Sequence, residues 1–375
     1  MQSSRIVHVI GALAAGGAER FVVDLVCDFR QREVNVELIV LSSRIDSTGE
    51  KMRQLLERNH VPVTVGPSLR LRVRTVLWFG RTMRRINPDI VHLHTTNTDL
   101  VHFMTRRIWG FSPAIVRTIH TAVLGAAWHE RLALRQNRAF VTIGCGEAAA
   151  SSCRSVLSGE IVTILNGVKF SWPIRTAALA NQYKHRLGLD PSHVHYLSVG
   201  RMDAPFGGKA DQSPKAHDVM VSAWMKGGLG ANGCKLHMVG DGPLRDELQS
   251  LARNDSSVVF HGVRSDIPDW LLAADCFVMP SRWEGLPLAG IEAVGSGLPC
   301  VFSDIPELRE LRPTAVQWVP VNDVEKLADS LLFFSKNPAY PIEDEIMGIR
   351  KRFNISDVAT QYLKIYERIG LERTA

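Results

Sequence analysis

The stretch Cys276-Phe-Val-Met-Pro-Ser-Arg-Trp-Glu284-Gly-Leu-Pro-Leu-Ala-Gly-Ile-Glu292-Ala-Val-Gly-Ser-Gly-Leu-Pro299 reads as one strand–turn–helix unit. Cys276–Met279 is an apolar run of strand length, ended by Pro280. Pro287 suits the first turn of a helix, because it lacks an N–H that would be orphaned there. The spacing therefore predicts a helix over Leu288–Val294, with a further strand over Pro299–Phe302. Two carboxylates, Glu284 and Glu292, straddle the turn.

Outward from this unit, the same grammar runs through the chain. In the second half, strands are expected at His195–Val199, Lys235–Val239 and Val258–Phe260, with helices at Val219–Trp224, Pro243–Ala252 and Asp266–Ala274. In the first half, strands are expected at Arg5–Ile10, Val36–Leu41, Val61–Val65, Asp89–His94, Ala114–His120 and Phe140–Ile143. Helices are expected at Ala18–Arg30, Glu50–Arg58 and Arg72–Ile86. Alternation with short links implies an α/β protein with doubly wound parallel sheets. Asn166-Gly167 and Trp172-Pro173 break local structure. The expected domains are 1–170 and 171–356, with a last helix in 357–375 returning to the first. Two such sheets in series would turn the C-terminal ends of their strands toward one another across a cleft, an arrangement for joining two separately held substrates.

Composition is ordinary for a globular chain of 375 residues, with 45% hydrophobic and 22% charged residues, enough for a core in each half. No apolar run reaches the ~18 residues of a membrane-spanning helix, and Met1–Arg5 has no secretory pattern. The six cysteines show no paired spacing and read as reduced core residues of a cytoplasmic protein. Net charge is +6, and it is uneven. Residues 1–170 carry 22 basic against 13 acidic side chains, the remainder 22 against 25. A basic first half suggests an anionic partner such as a phosphate-bearing substrate or an acidic membrane. With 7% aromatics and no nucleic-acid-binding signature, nucleic acid is not an expected partner.

In the quoted stretch, the N–H groups of Leu288, Ala289 and Gly290 open the helix without intrahelical partners. With the helix dipole they form an anion site suited to a diphosphate. Glu292, one turn further on, is placed to accept two hydrogen bonds from a ribose diol, and Glu284 to reach a sugar hydroxyl. Taken alone, these are equally a capped surface helix with two solvated acids. Gly16 and Gly17 lie between the first strand and helix, where their amides would approach a phosphate or an acceptor. The plain alternative is a tight turn requiring positive φ. Their spacing is not that of the dinucleotide fingerprint.

The ordered set of phrases resembles retaining nucleotide-sugar glycosyltransferases of family 4, which have the GT-B fold of two Rossmann-like domains. Glu284-Gly-Leu-Pro-Leu-Ala-Gly-Ile-Glu292 is similar to their E-x7-E signature. Gly16-Gly-Ala-Glu-Arg20 resembles their first glycine loop, Asn166-Gly167-Val168 the phrase before the interdomain linker, and Val239-Gly-Asp-Gly-Pro243 a strand–turn. Phe260-His-Gly-Val263 and Ser303-Asp-Ile-Pro-Glu307 follow in order. The resemblance runs from residue 5 to about residue 310. It implies that Arg201 and Lys215 neutralise a departing diphosphate, as an Arg fork and a Lys point charge do elsewhere. The loop Ala204–Pro214 is longer than in the family and leaves Lys209 as a competitor to Lys215. The resemblance also makes His120 a contact to the donor sugar, against the bland alternative of a hydrogen-bonded core histidine. It places Val263 and Arg264 beside the nucleotide base. His94, Thr95 and Asn97, at the end of a strand, are candidate acceptor contacts.

The implied activity is transfer of a hexose-type sugar from a UDP- or GDP-linked donor to a hydroxyl of a glycan or lipid-linked acceptor, with retention, in polysaccharide or glycolipid assembly. No cofactor is expected. No Asp-x-Asp motif occurs and the histidines are not expected to cluster, so no metal is expected. Alternatives are a GT-B sugar-nucleotide epimerase or a catalytically silent subunit that binds a glycan or lipid carrier. A nicotinamide oxidoreductase stands further off. In Arg72–Ile86, Arg74, Arg81 and Arg85 share one face opposite Val76, Phe79, Met83 and Ile86. That face is either solvated or meets anionic lipid at the inner face of the plasma membrane, at ~1 kcal/mol per basic residue.

Overall fold

Two all-parallel sheets organise the chain, each built from β-branched runs whose side chains are buried on both faces, as parallel sheets require. The computed structural model describes residues 4–67, 72–122, 128–204 and 208–374. It divides into two units, one running through Lys169 and resuming at Phe353, the other Phe170–Arg352.

The first unit contains β1 (Ile6–Ile10), β2 (Val36–Val40), β3 (Val63–Val65), β4 (Ile90–Leu93), β5 (Ala114–Ile119), β6 (Val141–Gly144) and β7 (Glu160–Thr163). Their order in the sheet is β3-β2-β1-β4-β5-β6-β7. β1 pairs with both β2 and β4, and His8 stands opposite His92 in the register. The order reverses between β1 and β4, the position at which loops diverge and ligands bind in such sheets. Helix Arg72–Ile86 closes one face with Val76, Phe79, Met83 and Ile86, all buried against β1, β2 and β4 residues. The last helix, Ile355–Thr374, buries Val358, Tyr362, Tyr366 and Ile369 in this unit. It is tied there by the Val168 N–H, which donates to the Phe353 carbonyl at 2.8 Å.

The second unit contains β8 (Val194–Val199), β9 (Cys234–Val239), β10 (Val258–Gly262), β11 (Cys276–Met279), β12 (Cys300–Ser303) and β13 (Val316–Val319). The order is β10-β9-β8-β11-β12-β13, with its reversal between β8 and β11. Its core surrounds Trp224, which is fully buried and donates its indole N–H to Ser257 Oγ at 2.8 Å. Each such apolar side chain removed from water contributes ~1.5–3 kcal/mol.

Strand β11 spans the residues expected, and the helix after it runs Leu288–Ser296. Pro287 is the residue before that helix, with extended backbone (ψ 121°), rather than a member of its first turn. Of the four edge strands, β3 and β10 were expected and β7 and β13 were not. Both lie at a sheet margin with part-exposed side chains, so neither shows a continuous apolar run. Of the long loop Ala204–Pro214, residues 205–207 lie outside the described residues, and a 3-10 turn occupies Ala210–Gln212. All six cysteines are buried and free.

Candidate functional site

In the second unit the candidate residues collect where β8 and β11 end, at the reversal of strand order. The Lys215 ammonium donates to both carboxylate oxygens of Glu284, at 2.7 and 2.9 Å. Ser281 Oγ donates to Glu284 Oε1 at 2.7 Å, and Ser303 Oγ, at the end of β12, donates to the Ser281 carbonyl at 2.5 Å. Glu284 is thereby held nearly buried, with 9% exposure. The Lys215 stem passes 3.5 Å from the Cβ position of Gly200, the residue preceding Arg201.

Arg282 aligns the two loops. Its backbone N–H donates to the Pro214 carbonyl at 2.7 Å, and its guanidinium donates to the Ser213 carbonyl and to both oxygens of Asp218. The loop carrying Lys215 is therefore bound on both sides to the loop carrying Glu284. Between Lys215 and Asp218, Ala216 adopts the left-handed region (φ 50°, ψ 40°) as it caps helix His217–Lys226. This conformation costs an alanine ~1–2 kcal/mol and is paid for by the surrounding contacts. His217 is buried, and desolvation, reinforced by Lys215, lowers its pKa to about 4. Neither Arg282 nor Ser281 was singled out from sequence, although both lie inside the stretch that decided the fold.

Arg201 follows β8, is exposed, and pairs with Asp203. Its strand exit is fixed by the Val239–Pro243 turn. Gly240 and Gly242 have φ of 138° and 155°, and a Cβ at either would lie 1.9 or 2.3 Å from the carbonyl oxygens of Gly200 and Met202. Only glycine fits at both. Lys209 heads the 3-10 turn and is exposed, in a hollow it shares with Glu247 and Leu251. The lysine that pairs with Glu284 is Lys215.

At the start of helix Leu288–Ser296 the first intrahelical bond is Ile291 N–H to the Pro287 carbonyl, 3.0 Å. The N–H groups of Leu288, Ala289 and Gly290 therefore have no carbonyl to bond within the helix. Glu292, one turn on, is buried at 3% exposure. Glu307 is also buried and accepts from the Glu284 backbone N–H; burial, with repulsion from Glu284, raises its pKa. Val263 is exposed, and the Arg264 guanidinium pairs with Asp266 over the face of Trp270.

In the first unit, Gly16 caps helix Gly17–Gln31 with extended backbone (φ −166°), so the expectation of a turn needing positive φ does not hold there. A Cβ on Gly16 would meet the Glu19 carboxylate. Thr95 caps helix Thr96–Trp109 in a reciprocal capping box with Thr98, and Asn97 is exposed in its first turn. His94 is 2% exposed with both ring nitrogens engaged, Nε2 with His8 at 2.9 Å and Nδ1 with His120 at 3.2 Å. A side chain so placed stands behind His120 and is not offered to an acceptor.

The absence of histidine clustering is also overturned: His8, His92 and His94 bring a nitrogen each to within 4.8 Å of one another. They are far apart in sequence and are assembled by the pairing of β1 with β4. Burial holds them neutral, lowering His8 to about 3 and His120 to about 4, with His92 and His94 well below the usual range.

Two family models match the chain: Glycosyltransferase Family 4 over residues 15–172 and Glycosyl transferases group 1 over residues 201–337. The chain is 26% identical over 320 residues to the putative glycosyltransferase EpsF of Bacillus subtilis, covering 80% of this chain and 79% of that protein. It is 26% identical over 251 residues to an Escherichia coli UDP-Gal:alpha-D-GlcNAc-diphosphoundecaprenol alpha-1,3-galactosyltransferase, covering 62% of each. Among solved structures, HepE of Anabaena in complex with UDP and glucose superposes with a TM-score of 0.81 at 17% identity, over 97% of this chain and 99% of that one.

Proposed function

Because the chain belongs to glycosyltransferase family 4 and has the GT-B fold, we propose that it transfers a hexose from a UDP- or GDP-linked donor to a hydroxyl of a glycan or lipid-linked acceptor, with retention at the anomeric carbon. The observation that carries this reading is the Lys215–Glu284 pair, locked by Ser281 and Arg282 at the strand reversal of the second sheet beside the open helix start at Leu288.

In this reading the second unit takes the donor. The N–H groups of Leu288, Ala289 and Gly290 receive the diphosphate, with Arg201 and Lys215 opposing its charge. Glu292 accepts from the ribose hydroxyls, Glu284 meets the sugar, and Val263 and Arg264 flank the base. The bond from C1 to the diphosphate oxygen breaks and the electron pair leaves on that oxygen. The acceptor oxygen attacks C1 from the same face and its proton passes to the departing diphosphate. Positioning and charge stabilisation supply the rate. The cations and amides do the work a metal ion does in other transferases, so turnover is metal-independent.

The first unit takes the acceptor, with Thr95 and Asn97 at the end of β4; Gly16 and Gly17 are placed to approach the donor phosphate or the acceptor, and His120 is a sugar contact. A lipid-linked acceptor is supported by the Escherichia coli relative, whose name specifies a diphosphoundecaprenol substrate. Helix Arg72–Ile86 suits the same role. Val73 and Leu77 are exposed together with Arg74, Arg81 and Arg85, opposite the buried face. Among the described residues no helix is long and apolar enough to cross a membrane; in this reading the exposed basic and apolar face of Arg72–Ile86 meets anionic lipid peripherally. Assembly of cell-surface polysaccharide or glycolipid follows as the setting.

The test is a panel of UDP-, GDP- and ADP-sugars in thermal shift, followed by product analysis with the best donor, an undecaprenyl-diphosphate sugar acceptor and excess EDTA. A stabilising donor and an α-linked product from an α-linked donor are expected. Absence of any nucleotide-sugar binding overturns the reading.

A further inference from the structure

Behind His120 the first unit carries an unbroken line of hydrogen-bonding side chains. His120 Nε2 lies 3.2 Å from His94 Nδ1, and His94 Nε2 lies 2.9 Å from His8 Nδ1. His8 Nε2 lies 3.2 Å from Tyr366 Oη, which lies 2.5 Å from His92 Nδ1. His92 Nε2 lies 2.7 Å from Thr118 Oγ1, which is 3.4 Å from Tyr362 Oη. The imidazoles pack ring beside ring, with centroids 4.2 Å apart for His92 and His94 and 5.5 Å for His94 and His120. Among the described residues one ring nitrogen of the four is both buried and unpartnered, Nδ1 of His120.

A neutral imidazole has one N–H and one lone pair, so each bond in the line fixes the next. Burial keeps all four rings neutral. Tyr366 has one proton and two nitrogen neighbours, so it donates to one and accepts from the other. Only two arrangements satisfy every link. In one, all four histidines carry the proton on Nε2 and His120 Nδ1 is a bare lone pair. In the other, His8, His94, His120 and His92 are all Nδ1–H, and His120 buries an N–H with no acceptor. Orphaned buried N–H groups are rarer and costlier than under-used acceptors, which selects the first.

We propose that His8, His94 and Tyr366 form a proton-ordered line that positions His120 to present its Nδ1 lone pair to a ligand hydroxyl. A ligand offering an acceptor atom there would have to reverse the whole line, so the site favours a hydroxyl-bearing group over an acceptor-only one. That a sugar supplies the hydroxyl rests on the reading given under Proposed function; the ordering itself does not. A tetrahedral metal centre among His8, His92 and His94 fits less well. Nitrogens each 2.0–2.1 Å from one zinc ion stand about 3.4 Å apart, whereas His8 and His94 meet at 2.9 Å in hydrogen-bonding geometry.

The test uses the full chain, unliganded, with ¹⁵N-labelled histidine and long-range ¹H–¹⁵N correlation at pH 7.5. Rings are assigned by the loss of one spin system in each of H8Q, H92Q, H94Q and H120Q. All four are expected as Nε2–H tautomers. Tyr366→Phe removes the central hydroxyl, and a substantial fraction of His120 is then expected to shift its proton to Nδ1 with secondary structure retained. Wild-type His8, His94 or His120 found as Nδ1–H overturns the proposal, as does an unchanged His120 tautomer in folded Y366F. Stoichiometric bound zinc in protein incubated with it also overturns the proposal. Where a transferred sugar is established, Y366F is expected to lower kcat at least ~10-fold with UDP affinity unchanged within twofold. Loss of both together marks a structural defect and counts against the positioning role.

Discussion

The Lys215 ammonium and the Glu284 carboxylate face each other at 2.7 and 2.9 Å across two loops that Arg282 binds together. Lys215 is only 23% exposed and Glu284 9%, so each is the other's principal neutralising charge. Removing one leaves the other buried without a charged partner, at a cost of roughly 1–3 kcal/mol. Lys215→Ala is expected to lower the melting temperature, and the double variant with Glu284→Ala to recover part of it. Because Lys215 is also assigned to the leaving diphosphate, turnover should fall ~100-fold or more in Lys215→Ala. Unchanged turnover would remove Lys215 from the site.

Glu292 and Arg201 divide the donor's binding and reaction differently. Glu292 is assigned to the pentose, which UDP and a UDP-sugar share. Glu292→Ala should therefore weaken both equally, by ~10–100-fold for hydrogen bonds to a charged group of about 1.5–3 kcal/mol, with kcat at saturating donor nearly retained. Arg201 is exposed and opposes charge that grows as the diphosphate leaves. Arg201→Ala should lower kcat more than affinity. Calorimetry with UDP beside steady-state kinetics separates the two, and interchange of these patterns would reverse the assignments.

The interior strands were legible because a buried parallel strand is a short apolar run, as Cys276–Met279 and Lys235–Val239 show. Glu160–Thr163 and Val316–Val319, two of the four edge strands, were not, because their part-exposed positions admit Glu160, Thr163 and Gln317, which break the apolar run. The candidate site was readable where one loop carries it, in Glu284 to Glu292. What could not be read was anything made by sheet order: His8 and His94 are 86 residues apart and meet only because β4 lies beside β1. Arg282 was passed over for the same reason, since Asp218, its partner, lies 64 residues away.

The buried neutral histidines give stability a steep pH dependence. Burial lowers His8 and His237 to about 3, and His102, His120 and His217 to about 4. Above pH 6.5 neither the native nor the unfolded chain protonates these groups, and they add no pH dependence. As pH falls through 6.5 the unfolded chain binds protons that the native state cannot accept. Stability is therefore lost progressively down toward the folded pKa values. Each group contributes up to about 1.4 kcal/mol per pH unit, so urea midpoints should fall sharply between pH 6.5 and 5. His102→Gln should flatten that slope by roughly one group's share. A midpoint constant from pH 7 to 5 would contradict the neutral, buried state of these rings.

Arg117 is the least expected residue in the first sheet: a guanidinium in the middle of β5 with 2% exposure. It donates from Nε to both oxygens of Asp99 at 2.9 Å and from Nη2 to Asp99 Oδ1 at 2.6 Å and the Asn137 carbonyl at 2.7 Å. Asp99 is fully buried and also accepts from the Asn137 amide at 3.0 Å. The pair thus joins β5 to helix Thr96–Trp109 and to the end of helix Trp128–Gln136. Removing either member strands a buried charge, at ~3–5 kcal/mol. Arg117→Ala and Asp99→Ala are each expected to lose most of the protein's stability in urea titration. Arg117→Lys should recover little, because an ammonium cannot reproduce the fork that meets a carboxylate and a carbonyl at once. A lysine variant as stable as wild type would show that charge alone, without that geometry, holds the two helices to the sheet.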